Sequence, residues 1–469
     1  MGVSPEASSE RLLEGAGKKD MEVNKMWAAP KRWPLLLVAV LAAGMLLVLS
    51  CKDEKKEEGT PAATTSAAKT PSPGNTTGVT DTEIKIGTLL PMSQSAAATW
   101  GVGISKGMKA YYDYINDNGG IYGRKINLII GDSQYTGPVA IEAARKLVEQ
   151  EKVFALQGGL GTEADAAVYQ YAQGKGVPDV FLLSGETMFT EPLARNRFTF
   201  LVDYLSEGRI LGQYIADNYN GKKLGILVQN DDFGKQGEEG LKLGIKDRNA
   251  SMETTTEYYD STQNDVTAQT QRLKGANVDV IAVYGMPMQA ASLIKTARET
   301  LSWDVPFVLT GVDAVEIEGA LAGYKNIEGA VSVVFSHQAN QTEIPGIAKL
   351  HEVMAKYAPG VKPDNLTLVG YGISQGMVHL LKMAGPDLTR DSFLDAAESL
   401  CKWSSPIGIA PASLSPTDHR YSQVEVYVKA VGTNADTFKW EFFGDTISFE
   451  STKECTAPTL PPEYDKQPE

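Results

Sequence analysis

The sequence predicts an α/β fold built from two lobes, each a parallel β-sheet covered by helices. The chain has 469 residues, which is too many for one ordinary hydrophobic core. Short apolar, β-branched runs alternate with segments of helical periodicity, and this alternation is typical of parallel sheets with helical crossovers. Beyond Val334 the pattern becomes mostly helical and then returns to strands, so we expect the chain to visit both lobes more than once.

The alternation begins at residue 83 and continues with little interruption to residue 334. The predicted strands are residues 83–90, 125–131, 153–156, 180–183, 223–228, 278–283, 306–309 and 329–334. The predicted helices between them are residues 104–116, 138–151, 163–174, 206–220, 237–248, 265–273 and 288–300. The later segments are helices at 345–357, 371–383 and 390–400, then strands at 423–429 and 439–443.

These elements define the expected domains and the place of a cleft. Lobe 1 is predicted to comprise residues 82–203 and 334–403, lobe 2 to comprise residues 204–333 and 404–457, and residues 458–469 to form a tail. Returning segments predict a hinge of several crossings. Because open parallel sheets bind ligands beyond the carboxyl ends of their strands, the facing lobes predict a ligand cleft between them.

The amino-terminal segment has the layout of an exported lipoprotein. A basic stretch at residues 25–32 precedes an apolar run at 34–50, which ends at Cys51. We therefore predict a signal peptide over residues 1–50, a lipid on Cys51 and a flexible linker over residues 51–81. The alternative is an uncleaved single-span anchor. Either arrangement places the remaining chain outside the cytoplasm, because the positive charges precede the apolar run.

Composition narrows the function further. The net charge of −14 argues against nucleic acid as a partner. If Cys51 carries lipid, Cys401 and Cys455 remain as an even pair in an oxidising compartment, so we predict a disulfide between them. The alternative is two separate thiols.

Catalytic, metal and cofactor signals are weak. The four histidines form no spaced set that would hold zinc, and the glycine-rich residues 158–162 lack a phosphate-binding lysine. Residues 372–376 match the G-x-S-x-G pattern around Ser374, with a strand-like stretch at 366–369 before it and Asp395 and His419 after it. The pattern from residue 371 onward nevertheless predicts a helix, in which the small residues allow close packing. We therefore predict no enzymatic activity, no metal and no cofactor.

Four motifs carry a resemblance to a known family. They are AYYDYINDNGGIYGRKI at 110–126, DFGK at 232–235, YGISQ at 371–375 and SPTD at 415–418. Over residues 81–455 the chain resembles the leucine/isoleucine/valine-binding proteins, the type I solute-binding proteins of branched-chain amino acid ABC transporters. The resemblance implies two Rossmann-like lobes joined by a multi-crossing hinge, and a receptor that delivers a small solute to a membrane permease.

The resemblance also implies ligand-binding residues in lobe 1. Trp100 matches an aromatic residue that lines the cleft. Gly161 and Thr162 match a loop that holds the ligand carboxylate, which suits the positive end of the helix that follows. Gly185 and Thr187 match a second loop, which supplies a carbonyl to the ligand ammonium and a hydroxyl to its carboxylate.

In lobe 2 the resemblance implies that Tyr204, Phe233 and Met286 close over the ligand. Family members pair the ammonium with a lobe 2 carboxylate, and Asp313 is the candidate here, with a helix N-cap role as an equal alternative. If Asp313 points elsewhere, a ligand without an amine becomes the alternative, since related subfamilies bind aromatic acids, amides or urea.

The sequence therefore predicts a monomeric extracytoplasmic lipoprotein that captures a small carboxylated solute, foremost a branched-chain or other amino acid. Its expected partners are that solute, the permease of an ABC importer and the membrane, reached through the lipid on Cys51. The competing class is a ligand-sensing receptor that is not coupled to transport.

Overall fold

A computed structural model describes residues 75–449 and 454–469. The predicted signal peptide, Cys51 and the linker up to residue 74 lie outside these residues. Within the described ranges, no helix combines the length and the apolar content that crossing a bilayer requires.

The first sheet has five strands, all paired in parallel, in the order β2-β1-β3-β4-β5. Its strands are β1 (Glu83–Leu90), β2 (Lys125–Asp132), β3 (Ala155–Gln157), β4 (Asp179–Leu182) and β5 (Arg197–Thr199). The helices between them are α1 (Ala98–Asp117), α2 (Gly137–Arg145) and α3 (Thr162–Gly174). This sheet and its helices form the core of lobe 1.

The second sheet has seven strands in the order β12-β11-β10-β9-β8-β6-β7. Its strands are β6 (Lys223–Gln229), β7 (Glu253–Tyr259), β8 (Val280–Tyr284), β9 (Phe307–Leu309), β10 (Val331–Val334), β11 (Glu425–Val431) and β12 (Lys439–Ile447). Its helices are α4 (Tyr204–Tyr219), α5 (Asp232–Asp247), α6 (Thr267–Gly275), α7 (Pro287–Lys295), α8 (Glu316–Ala322) and α9 (Tyr324–Ile327). Strands β6 to β10 pair in parallel. The pairs β10–β11 and β11–β12 are antiparallel.

After β10 the chain returns to lobe 1 with α10 (Pro345–Tyr357), α11 (Asn365–Ala384) and α12 (Arg390–Glu398). Both α10 and α11 pack on α1. The segments that cross between the lobes are hydrogen bonded to one another. Thr199 N donates to the His419 carbonyl at 3.0 Å, and His337 N donates to the Ile407 carbonyl at 2.9 Å. The lobes are therefore joined by several strands of chain lying side by side.

The predicted fold class is confirmed, since two mainly parallel sheets alternate with helices in two lobes. The prediction missed β7, whose sequence Glu-Thr-Thr-Thr-Glu-Tyr-Tyr has little apolar content because it is an edge strand with exposed side chains. The strand-like interpretation of residues 366–369 is wrong. An Asp364–Thr367 capping box starts α11 at Asn365, so these residues are helical.

Both ends of the described chain pack on lobe 1. Within the segment assigned to the linker, the Gly78 carbonyl accepts a hydrogen bond from Lys85 N at 2.9 Å. In the tail, the Tyr464 hydroxyl lies 2.6 Å from His379 Nδ1. A disulfide joins Cys401 to Cys455, the pairing that the sequence predicts.

Candidate functional site

A cavity lies between the two lobes, at the carboxyl ends of both sheets. The volume of the cavity is about 70 Å³. This volume can hold several water molecules. Its lobe 1 wall comprises Trp100, Tyr135, Leu160, Gly161, Leu183, Asn365 and Val369. Its lobe 2 wall comprises Tyr204, Glu207, Phe233, Met286, Gly311, Val312, Ala314 and Val315. Crossing segments complete the lining with Leu201, Val202, Val334, Phe335, Ser336 and Gln338.

The lobe 1 wall brings the start of α3 to the cavity. Gly161 is the N-cap residue, with φ of 109°, and no side chain caps the helix. A Cβ at Gly161 would lie 2.6 Å from the Tyr135 ring, so only glycine fits there. The first backbone N–H groups of a helix have no intrahelical partner, and the helix dipole favours an anion beside them. This wall can therefore bind a carboxylate without a basic side chain.

Trp100 supplies a second donor on the same wall. Its ring is buried, and its Nε1 has no hydrogen-bond partner within the described part of the chain. A buried indole N–H usually finds an acceptor. Because Trp100 lines the cavity, a ligand acceptor would satisfy this group.

The lobe 2 wall is mainly aromatic. The Tyr204 and Phe233 rings lie 4.7 Å apart, and Phe233 lies 5.3 Å from the Tyr284 ring. Phe233 is in the first turn of α5, after β6, and Met286 follows β8. Together these side chains form an apolar surface opposite α3, suited to the hydrocarbon body of a small solute.

Glu207 is the carboxyl group among the cavity-lining residues. It lies in the first turn of α4, where Asp203 is the N-cap residue. Its Oε1 accepts hydrogen bonds from Thr310 Oγ1 at 2.5 Å and from Gly311 N at 3.1 Å. Burial raises its pKa, against the effect of these donors.

Asp313 has a different position from the one predicted. It is fully buried in a short turn after β9, and neither of its carboxyl oxygens has a hydrogen-bond partner among the described residues. Gly311, Val312 and Val315 line the cavity, whereas Asp313 is not among the lining residues. The N-cap alternative is wrong, because Val315 occupies the N-cap of α8 without a side-chain bond. Burial, and then repulsion from Glu207, raise the Asp313 pKa well above its usual range.

Three other predicted site residues form hydrogen bonds with other residues of the protein. The Thr162 hydroxyl lies 2.8 Å from the Ser184 hydroxyl. The Gly185 carbonyl accepts a hydrogen bond from Tyr204 N at 2.9 Å. Thr187 bonds across the cleft to Gln236. None of the three lines the cavity, whereas Trp100, Gly161, Tyr204, Phe233 and Met286 do.

The bond between Thr187 and Gln236 belongs to a bridge between the lobes. Gln236, on α5 of lobe 2, donates through Nε2 to Glu186 Oε1 at 2.8 Å and to Thr187 Oγ1 at 2.7 Å. Its Oε1 accepts a hydrogen bond from Thr187 N at 3.2 Å. This bridge requires the lobes to be together.

The G-x-S-x-G pattern has a packing explanation. Ser374 is fully buried within α11, and its hydroxyl donates to the Gly370 carbonyl at 2.9 Å. A Cβ at Gly372 would lie 2.2 Å from Ile407, and one at Gly376 would lie 2.8 Å from the Phe181 ring. Close packing therefore accounts for both glycines. Within the described ranges, no group of three or more His, Cys, Asp or Glu is arranged to hold a metal ion.

Residues 83–434 match the family model described as "Periplasmic binding protein". The chain belongs to this family. One curated relative of this periplasmic binding protein is a Leu/Ile/Val-binding protein homolog from Brucella suis, 23% identical over 304 residues, or 65% of this chain and 79% of the relative. The relatives are solute-binding proteins and not enzymes, in agreement with the predicted lack of catalysis, and the family implies an extracytoplasmic location.

Solved structures share the fold of this periplasmic binding protein. A fatty acid ABC transporter substrate-binding protein from Thermomonospora curvata has a TM-score of 0.70 at 22% identity, covering 79% of this chain and 94% of the other. A solute-binding protein from Rhodopseudomonas palustris, in complex with 3,4-dihydroxybenzoic acid, has a TM-score of 0.69 at 19% identity. The match covers 79% of this chain and 98% of the other.

Sequence reasoning missed Tyr135, Glu207 and Gln338 as lining residues. The rule that ligands bind beyond the carboxyl ends of strands would have indicated Tyr135, which lies in the loop between β2 and α2. Glu207 carried no comparable signal. A glutamate in the first turn of a helix is ordinarily explained by the helix dipole.

Proposed function

We propose that this protein is the extracytoplasmic solute-binding component of an ABC importer and that it captures a small carboxylated solute with an apolar body, foremost an amino acid. The observation that carries the proposal is the apolar cavity enclosed between the lobes, with the uncapped start of α3 on one wall. The relatives' names agree with an amino acid, while the fatty acid and dihydroxybenzoate ligands of similar folds give the alternative of a carboxylate without an amine.

In the proposed cycle, lobe 1 binds the solute carboxylate first, through the N–H groups that begin α3 and the free Trp100 N–H. Closure of the hinge then brings Tyr204, Phe233 and Met286 over the apolar body. Closure also excludes water, which strengthens the polar contacts. The lipid on Cys51 would keep the receptor beside its permease, which recognises the closed form.

The proposal is tested by uptake and by binding. Deleting the gene should abolish import of the solute, whereas intact uptake would favour the sensor alternative. Protein stripped of carried-over ligand is then screened by thermal shift against the twenty amino acids, aromatic acids, fatty acids, amides and urea. A ligand at 100 times its Kd adds about 2.7 kcal/mol of stability. If carboxylated compounds give no shift while amides or urea do, the carboxylate assignment fails.

The carboxylate end has its own test in Thr162→Val. Thr162 does not line the cavity and its hydroxyl bonds to Ser184, so this change tests whether the hydroxyl turns to the carboxylate on binding. If it does, every carboxylated ligand should bind more weakly by about 1–3 kcal/mol, the usual loss for a hydrogen bond to a charged group. Ser184→Ala is the matched control, because it removes the other hydroxyl of the Thr162–Ser184 pair. Equal losses in both variants would mean that the pair acts only through packing.

A further inference from the structure

The cavity has a strongly asymmetric electrostatic lining. Among its described lining residues there is no Lys, Arg or His, and Glu207 alone carries a carboxyl group. Tyr135 and Tyr204 also line it, but burial raises the pKa of each phenol further above its ordinary value, so both stay neutral. The lobe 2 end therefore presents an acid with no lining cation to balance it.

Glu207 receives hydrogen bonds but no positive charge. The Thr310 hydroxyl and the Gly311 N–H donate to it, the Tyr284 hydroxyl is also a hydrogen-bond partner, and all three groups are neutral. The nearby Tyr284 hydroxyl, on β8, donates to the Tyr204 carbonyl at 3.2 Å. These contacts fix the position of the carboxyl group while leaving its charge uncompensated.

The remaining neighbours of Glu207 add negative charge. Asp203 caps its own helix, Asp313 follows β9, and Glu425 begins β11. Electrostatic repulsion links Glu207 to each of them. Arg420 lies nearby, but it pairs with Asp203 at 3.6 Å and with another acid, Asp418, at 3.0 Å.

We propose that Glu207 is the specificity-determining acid of this site and that it binds an ammonium group of the solute. This inference rests on the proposed function. The solute would supply the positive charge that the cavity lining lacks, and a charge-assisted hydrogen bond is strong where water is excluded. Asp313, the acid that the sequence suggested for this role, would act only as a buried neighbour.

Binding of an ammonium group at Glu207 should change the protonation of its carboxyl group. Burial raises the pKa of Glu207 above its ordinary value, so the empty site holds a proton more tightly than a free glutamate does. An arriving ammonium favours the ionised carboxylate and displaces that proton. Amino acid binding should therefore release a proton in the pH range in which the empty site is protonated, and its affinity should fall as the pH is lowered through that range. Binding of the same acid without an amine should lack both effects.

The experiment uses matched ligands that differ only in the amine. L-leucine is compared with 4-methylpentanoate, and L-phenylalanine with 3-phenylpropanoate, by calorimetry in buffers of different ionisation enthalpy. The proteins are the unmodified chain, Glu207→Gln and Asp313→Asn. A glutamine carbonyl can still accept from Thr310 and Gly311, so Glu207→Gln should fold. Thermal unfolding checks this.

We expect the unmodified protein to bind at least one amino acid tenfold or more tighter than its partner without the amine, with proton release. Glu207→Gln should lose that preference, whereas Asp313→Asn should keep it. If Glu207→Gln fails to fold, the role of Glu207 is tested by proton release when the unmodified protein binds an amino acid.

Four outcomes overturn the inference: no amino acid bound, no preference for the amine, a preference that survives in Glu207→Gln, or amino acid binding without proton release at any pH at which the protein is folded. Tight binding of carboxylates without an amine would discard the role of Glu207 and leave the proposed function intact. Failure of gene deletion to affect uptake would discard the proposed function instead.

Discussion

The hydrogen-bonded bridge between the lobes predicts that Gln236→Ala weakens the binding of every ligand by a similar factor. The Gln236 side chain makes three hydrogen bonds to Glu186 and Thr187, and all of them cross from lobe 2 to lobe 1. Opening the hinge breaks these bonds, whereas binding inside the cavity does not use them. The variant should therefore destabilise the closed form alone.

The magnitude follows from the bonds. A hydrogen bond contributes about 0.5–1.5 kcal/mol net, so three bonds at a partly exposed site suggest a loss of about 2 kcal/mol. Since 1.4 kcal/mol is a factor of ten, the Kd should rise about 30-fold. The loss should appear mainly as faster dissociation, because the open form still meets the ligand normally.

The assay is surface-coupled binding kinetics with a ligand found by the thermal-shift screen. Gln213→Ala is the matched control, because Gln213 bonds to Asp247 at 3.1 Å within lobe 2. Its Kd should change less than twofold. An unchanged dissociation rate for Gln236→Ala, or an equal change in both variants, would refute the idea that the bridge holds the lobes together.

Gln236→Glu refines this test through pH. Burial, and after it the charge of Asp232, raise the pKa of Glu186 to about 7. Below that pH Glu186 is protonated and can donate to the new carboxylate, whereas above it the two acids repel. The affinity loss of Gln236→Glu should therefore be larger at pH 8 than at pH 6. A loss independent of pH would exclude Glu186 from the bridge.

Three further predictions concern stability and chemistry. Reducing the Cys401–Cys455 disulfide, which spans 54 residues, should lower the free energy of unfolding by about 4 kcal/mol, measured in denaturant with and without reductant. Burial against Trp403 lowers the His379 pKa from 6.5 to about 4, so the neutral ring stabilises the fold above pH 6.5, and this stability is lost as the pH falls towards 4. The difference in the free energy of unfolding between the unmodified protein and His379→Phe should therefore become smaller by about 2 kcal/mol as the pH falls from 6.5 to 4. Ser374→Ala should bind ligand normally, and a fluorophosphonate probe should label neither protein, whereas labelling would restore the hydrolase interpretation.

Much of the fold was readable in the sequence because it depends on local pattern. Alternating apolar strands and amphipathic helices fix a parallel α/β architecture wherever the residues are buried on both faces. The prediction failed where packing or capping overrode that pattern. The exposed edge strand β7 has no apolar signal, and residues 366–369 are β-branched or apolar but are helical because Asp364 and Thr367 cap α11.

The candidate site divides in the same way. Trp100, Gly161, Tyr204, Phe233 and Met286 could be named from motifs, since each directly follows a strand or begins a helix at the cleft. Which acid reaches the cavity could not be inferred. Asp313 and Glu207 lie more than one hundred residues apart in sequence, and only the approach of α4 to the turn after β9 makes Glu207 the lining residue.

By itself, the sequence determined the two-lobed architecture, the family, the Cys401–Cys455 pairing and the aromatic character of the cleft. The tertiary structure alone decided the direction of each side chain and the partners that satisfy it. Thr187 faces Gln236 across the lobes, and Asp313 lies buried beside other acids. The physical reason is that periodicity records which residues are buried, whereas hydrogen bonds and charge contacts form between segments that are remote in the chain.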